Sequence, residues 1–332
     1  MKRVLLLGLI LICAGMLTFG IATVACRADF AQLWMDDSTT VTQDVEEDFS
    51  NISVITEGSD IVFVYSEDGT CRVVSNETEK LKHRVTVTDG TLLVEDVDER
   101  EWYDYFLNFA STSVTVYLPK VDYSSVNIDC SSADVEIGAG FSFGELIVDG
   151  STADVSLRSS SFAALDIELT TGDVSLSELT VGGVQITVTT GDVDFESVES
   201  SGDIFVGVST GEVKIKDTVC KSLTTTGGTG DLRLVRTEVE EVFFAKRSTG
   251  EVTVESGICG RIEITVSTGD VTLNASDAEY IEITATTADV SGSLLTPKKI
   301  VVKTGTGSVR VPNEDSENIC KITTGTGDVL FS

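Results

Sequence analysis

Carboxylates recur down this chain at a fixed interval. From Asp134 onward, positions 19 or 20 residues apart are Asp154, Asp173, Asp192, Glu212, Asp231, Glu251, Asp270, Asp289, Ser308 and Asp328, acidic at ten of eleven places. Aligned carboxylates have three possible uses. They can collect hard divalent cations, which take oxygen ligands. They can act as an acid–base pair on a polysaccharide. Or they can do no chemistry and accept backbone hydrogen bonds at a corner. The first use makes Asp154, Asp173, Asp192, Glu212 and Asp231 a weak candidate ladder for loosely bound Ca²⁺ or Mg²⁺. The calcium-binding nonapeptide pattern of other repeat proteins is absent, so no dedicated metal site and no other cofactor is expected. The second use needs one place distinguished from the rest, and no insertion here shapes a cleft around any one acid. A polysaccharide-acting enzyme is therefore only a remote alternative, and no catalytic residue is assigned. The single histidine, His83, has no His, Cys or Ser/Asp arrangement visible around it. An ice-ordering face would need Thr-x-Thr, and this array is Thr-x-acid.

The third use matches what surrounds each acid. Two residues before it stand Ser132 and then Thr152, Thr171, Thr190, Thr210, Thr229, Thr249, Thr268, Thr287, Thr306 and Thr326; one before is always Gly or Ala. The next residue is Val or Leu every time, from Val135 to Val329, and apolar residues alternate with polar ones around it. Alternation over so short a run marks a strand with one buried face. A second apolar column, eight residues before the acid, runs from Val126 through Leu165, Ile204 and Ile262 to Cys320. Each unit therefore reads as two short strands joined by the Thr-Gly-acid corner and closed by a second, looser corner. One unit cannot bury its face alone, but a stack of them can. The chain is thus expected to be all-β: a single β-solenoid, parallel β-helix-like, of eleven or twelve coils of 19–20 residues. Stacking at ~4.8 Å places neighbouring carboxylates where they repel by roughly 0.9 kcal/mol a pair before screening. Backbone N–H groups at the corners are the nearest source of compensation.

The irregular parts flank this array. Ile52, Val54 and Asp60–Phe63 fit the same template, so the solenoid is expected to begin near residue 50. The run "VTVTDGTLLV" holds Asp89-Gly90 between two alternating segments, a strong hairpin signal. Residues 51–125 are read as the first coil and a β-hairpin N-terminal cap, 126–332 as the repeats, and 28–50 as an acidic stalk. The repeats end at Phe331-Ser332, which predicts an uncovered C-terminal coil open to end-to-end self-association.

Residues 1–27 obey different rules. Met1-Lys2-Arg3 precedes Val4–Ala25, which carries no charge and is long enough to span a bilayer as one transmembrane helix. Lys2 and Arg3 orient the bulk of the chain outside the cell. Thr23-Val24-Ala25-Cys26 keeps a lipoprotein signal open as a second reading, and a cleaved signal peptide is a third. All three predict a cell-envelope location, single-pass in the membrane through residues 4–25 for the first. A net charge of −31 argues against nucleic acid as a partner. That charge is uneven: residues 121–213 hold 17 acids and one base, residues 214–332 hold 17 acids and 13 bases. Five cysteines, Cys71, Cys130, Cys220, Cys259 and Cys320, lie outside the anchor and are expected as buried free thiols.

The anchor, the segment "GSDIVFVYSEDG" (58–69), the hairpin "DGTLLVE" (89–95) and the iterated "TGDV" corners together carry a family resemblance. The chain resembles the bacterial adhesin-type family of membrane-anchored β-strand-repeat proteins, a domain of unknown function. That resemblance implies a cell-envelope β-solenoid, in some cases linked to envelope stress, with no catalytic residues to carry over. The expected function is a non-catalytic adhesin or extracellular binding module, with an envelope protein or cell-wall polymer as partner. The alternative is an accessory or sensor protein in envelope stress, acting through a membrane partner.

Overall fold

A computed structural model describes residues 38–99 and 112–332. The expected transmembrane segment, residues 4–25, and the start of the expected stalk lie outside the described residues. Among the described residues every regular element is a strand, and no helix is long and apolar enough to cross a membrane. The strands build an all-β solenoid of about ten turns, where the repeats alone suggested eleven or twelve coils.

Each coil stacks on the next in parallel register, so every sequence column becomes a wall of the core. Leu146, Leu165, Val184, Ile204, Leu223, Phe243, Ile262 and Ile281 follow one another on one wall. Val155, Val174, Val193, Val213, Leu232, Val252, Val271 and Val290 follow on a second. The structure adds a third, shorter wall that the two-strand reading did not separate. It passes through Tyr123, Phe143, Phe162, Val181 and Ser200 to Cys220, Val239, Cys259 and Ala278. At its start the rings stack: Phe143 lies 5.8 Å from Tyr123 and 5.7 Å from Phe162, and Phe49 lies 5.9 Å from Tyr123. The second corner is tight rather than loose. Five residues after each acid from Asp154 to Asp270 one non-glycine residue is left-handed, as at Ser159 (φ 46°), Glu178 (56°), Ser197 (59°), Asp217 (51°) and Arg236 (50°).

The first end is built by antiparallel pairing. Leu81–Thr88 and Thr91–Asp98 form the expected hairpin, with both Asp89 and Gly90 at positive φ as a type I′ turn requires. The coil holding Ile52 and Phe63 is not outermost. Ile52 pairs with Leu92 on one side and Val126 on the other, and Phe63 sits between Val116 and Ile137. Cys71–Glu77 then pairs antiparallel with Thr112–Leu118. Thr39–Val45, within the expected stalk, is itself a strand, antiparallel to Cys71–Glu77. Acidic composition hid it, because an edge strand needs backbone partners more than an apolar face.

The far end corrects the expected coil order. Tyr280–Thr287 stacks not on Lys299–Thr306, its successor in sequence, but on Ile319–Thr326, which in turn carries Lys299–Thr306. Val329 likewise lies between Val290 and Val309. The last coil of the chain is therefore next to last in the stack, and Phe331 is only 4% exposed. The uncovered coil is Lys299–Arg310, not the one ending at Phe331-Ser332. Burial explains the exchange. The final coil brings Cys320, Ile322, Val329 and Phe331 inward, whereas Lys299–Arg310 carries three cations and leaves Val301 and Val309 each 48% exposed. Placing the more apolar coil between two others removes more apolar surface from water.

Candidate functional site

The Thr-Gly-acid corners form one line down the rod, and their geometry reveals their work. Each Asp turns a carboxylate oxygen to the backbone N–H of the corresponding acid in the adjacent coil. Asp134 Oδ1 accepts from Asp154 N (3.0 Å), Asp154 from Asp173 (2.8 Å), Asp173 from Asp192 (2.7 Å) and Asp192 from Glu212 (2.7 Å). The series extends to Asp60 at one end and, at the other, runs from Asp270 through Asp289 and Asp328 to the Ser308 N–H. Glutamates interrupt it: Glu212 turns to Lys214 at 2.7 Å, and Glu251 accepts the Thr253 hydroxyl at 2.7 Å. One extra methylene is enough to aim the carboxylate elsewhere. Asp231 resumes the pattern by accepting from Glu251 N at 2.8 Å. Among the described residues no group of three or more His, Cys, Asp or Glu side chains is arranged to hold a metal ion. Of the candidate metal ladder, Asp154, Asp173, Asp192 and Asp231 each accept a backbone N–H from the next coil, whereas Glu212 faces Lys214.

Where a glycine precedes the acid, the same stacking sets it. Gly191 has φ 150°, and a Cβ there would stand 1.9 Å from the Gly172 carbonyl oxygen. Adjacent corners approach too closely for a side chain on that side.

The cap gathers a polar cluster that sequence reasoning missed. His83 is buried, its Nε2 2.9 Å from Ser59 Oγ and 3.2 Å from Asp96 Oδ1, while Nδ1 faces Glu77 Oε1 at 3.6 Å. Ser59 Oγ continues to Thr112 Oγ1 at 2.7 Å, and Asp96 Oδ2 accepts Thr56 Oγ1 (2.7 Å) and Glu57 N (2.9 Å). Burial alone would raise the Asp96 pKa; hydrogen bonds from His83, Thr56 and the Glu57 N–H outweigh it and hold the carboxyl below its ordinary value. Residue types alone suggest a Ser/His/Asp triad, but the geometry differs. Asp96 shares Nε2 with the serine instead of orienting Nδ1, and Ser59 is 0% exposed. The cluster ties the first coil to the hairpin. A sequence signal existed: His83 shares its strand face with Leu81 and Val85, which face inward.

Two surfaces remain at the ends. Between the exit of Thr39–Val45 and the Asp68–Arg72 loop lies a cleft of about 730 Å³, lined by Asp44, Glu46, Glu47, Asp48 and Asp68, with Arg72 as its base. Asp68 is already engaged by Ser66, Thr70 and Arg72, which hold its carboxyl well below the usual range. At the opposite end, Lys299–Arg310 presents the open edges of two sheet walls with Lys299, Lys303 and Arg310 exposed and no acid in the segment.

The chain matches the Toastrack DUF4097 family over residues 49–255 and 216–332. It belongs to the Toastrack DUF4097 family. Solved structures of similar fold include a "putative adhesin" from Bacteroides fragilis at 17% identity and TM-score 0.44, covering 70% of this chain and 97% of that one. A protein with the same description from Parabacteroides distasonis is 12% identical, with TM-score 0.40 and coverage of 90% and 98%. A "putative lipid binding protein" from the same organism is 12% identical, with TM-score 0.38 and coverage of 90% and 98%. No curated protein matches the chain. The family match and the repeat agree on an all-β solenoid.

Proposed function

We propose that this Toastrack protein is a non-catalytic binding module of the cell envelope, held to the membrane through residues 4–25 with its bulk outside. It engages an anionic envelope polymer through the uncovered coil Lys299–Arg310. The observation that carries this reading is the coil itself: an acid-free, cationic end on a chain of net charge −31. Elsewhere in the far half several surface bases are held by acids, as in Arg236–Asp217, Lys321–Glu282 and Arg233–Glu255. The corner acids serve the backbone and the His83 cluster is sealed, which supports a non-enzymatic role.

A second reading follows from the open sheet edges, which suit an added strand from a membrane protein, as an accessory or sensor would need. Binding of the purified protein to isolated cell walls, measured by co-sedimentation, tests both. Combined Lys299→Glu, Lys303→Glu and Arg310→Glu should weaken wall binding about tenfold or more and remove its salt dependence. Binding to envelope protein that survives this change, but is lost on Val301→Pro, would favour the accessory reading. Absence of saturable binding to walls or to envelope proteins would overturn the binding-module reading itself.

A further inference from the structure

The apolar interior is interrupted at the level of Thr225 and Arg247. Where the adjoining coils carry Val206 and Val208 on one side and Ile264 and Val266 on the other, the coil Leu223–Thr229 has Thr225 and Gly227, and the next strand has Ala245 and Arg247. Arg247 is paired in register with Gly227, and a Cβ on Gly227 would stand 2.2 Å from Arg247 NH1, so the guanidinium lies over the glycine. Arg247 is 2% exposed and Thr225 0%. Among the described residues, Nε, NH1 and NH2 of Arg247 and Oγ1 of Thr225 have no hydrogen-bond partner. Burial lowers the Arg247 pKa only to about 10, so the side chain is cationic at neutral pH. A lone buried cation without a partner is among the costliest arrangements a core can hold.

We propose that the solenoid interior holds a small inorganic anion of chloride size against Arg247 and Thr225. The donor set decides the ligand class. A guanidinium can only donate, and a hydroxyl can donate, so the complement is an acceptor that brings no protons of its own. Water would bring two donors into a space whose unpartnered groups are chiefly donors. Three residues cooperate in the site: Gly227 admits the guanidinium, Thr225 puts a hydroxyl where the previous coil has Val206, and Ala245 is smaller than Ile264 on the next coil. Enclosed by strands, the anion is taken up as the coils close and exchanges only when they open.

Bromide is the probe. Crystals of the protein grown in sodium bromide and measured at the bromine absorption edge should show an anomalous peak in contact with the Arg247 guanidinium. In solution, raising chloride from 1 to 200 mM, with gluconate replaced to keep ionic strength fixed, should raise Tm by roughly 4 °C. Arg247→Met should abolish that dependence. Density at Arg247 with no anomalous signal, or an empty site, would overturn the proposal, as would equal chloride dependence in wild type and Arg247→Met. The bromide measurement needs no variant, so it decides the matter even if Arg247→Met folds poorly.

Discussion

At the scale of single residues, the corner carboxylates act as acceptors first and as charges second, and the two roles can be separated. Asp173→Asn keeps Oδ1 for the Asp192 N–H and removes a charge from a like-charged line, so stability at pH 7 should be unchanged or slightly raised. Asp173→Ala removes the acceptor and should cost about 1 kcal/mol, read by denaturant unfolding. Equal losses in both variants would show that charge, not acceptance, matters. Titration separates two further aspartates by sign. Asp96 has a depressed pKa in the fold, so its ionised form stabilises the cap. That contribution is complete above the unfolded value near ~3.9 and is lost as pH falls through the folded value. Asp194 is the reverse. Partial loss of solvent raises its pKa, and Asp192, Glu212 and Asp173 add to the rise against Lys214. Its ionised form is therefore a burden above the folded pKa. Asp96→Asn should lower Tm at pH 7 and Asp194→Asn should raise it by roughly 1–2 °C; the first difference should shrink as pH falls below ~4, and the second as pH falls towards ~4.

At the scale of elements, a coil is held by what its corners tolerate. Gly191→Ala must displace the neighbouring carbonyl and hold alanine at φ 150°, so a loss of roughly 2–4 kcal/mol is expected from thermal or denaturant unfolding. A near-neutral result would mean that adjacent coils separate more easily than the stacking indicates. The outer faces use another device in the far half of the rod. There Arg236 reaches one coil back to Asp217 with two hydrogen bonds of 2.6 and 2.8 Å, and Arg261 lies 4.6 Å from the Tyr280 ring centroid on the next coil. The acid-rich half has few bases for such links and relies on the Asp corners and the aromatic stack of Tyr123, Phe143 and Phe162.

At the scale of the molecule, the interior is one continuous core, and its five described cysteines are part of it. All five are free and buried, and burial pushes the thiols up, to about 11 at Cys71 and Cys130 and about 12 at Cys220, Cys259 and Cys320. Cys220 and Cys259 share a column with Val239 between them, too far apart to bridge. Native protein treated with iodoacetamide at pH 8 should leave these five unmodified by peptide mass mapping, and denatured protein should show all five alkylated. Rapid labelling of any one in native protein would mean that its coil opens readily.

Much of this was legible in the residues themselves. The 19–20-residue period, the alternation on both sides of the acid and the Thr-Gly-acid triplet fix a parallel β-solenoid, because each is a local property of one coil repeated. The inward places of Cys130 and Cys320 and the turn at Asp89-Gly90 follow in the same way. The third wall, the left-handed corner at Glu178 and its equivalents, and the antiparallel strand Thr39–Val45 were not legible, since each depends on what the segment meets. The His83 cluster joins residues from six strands, from Thr56 to Thr112, for the same reason. Above all, the order of coils at the far end belongs to the tertiary structure. Every coil presents the same columns and can stack on any other, so the sequence specifies the unit without specifying its neighbours. Burial decides between the arrangements: the coil with Cys320 and Phe331 goes inside, and the cationic coil Lys299–Arg310 is left at the end.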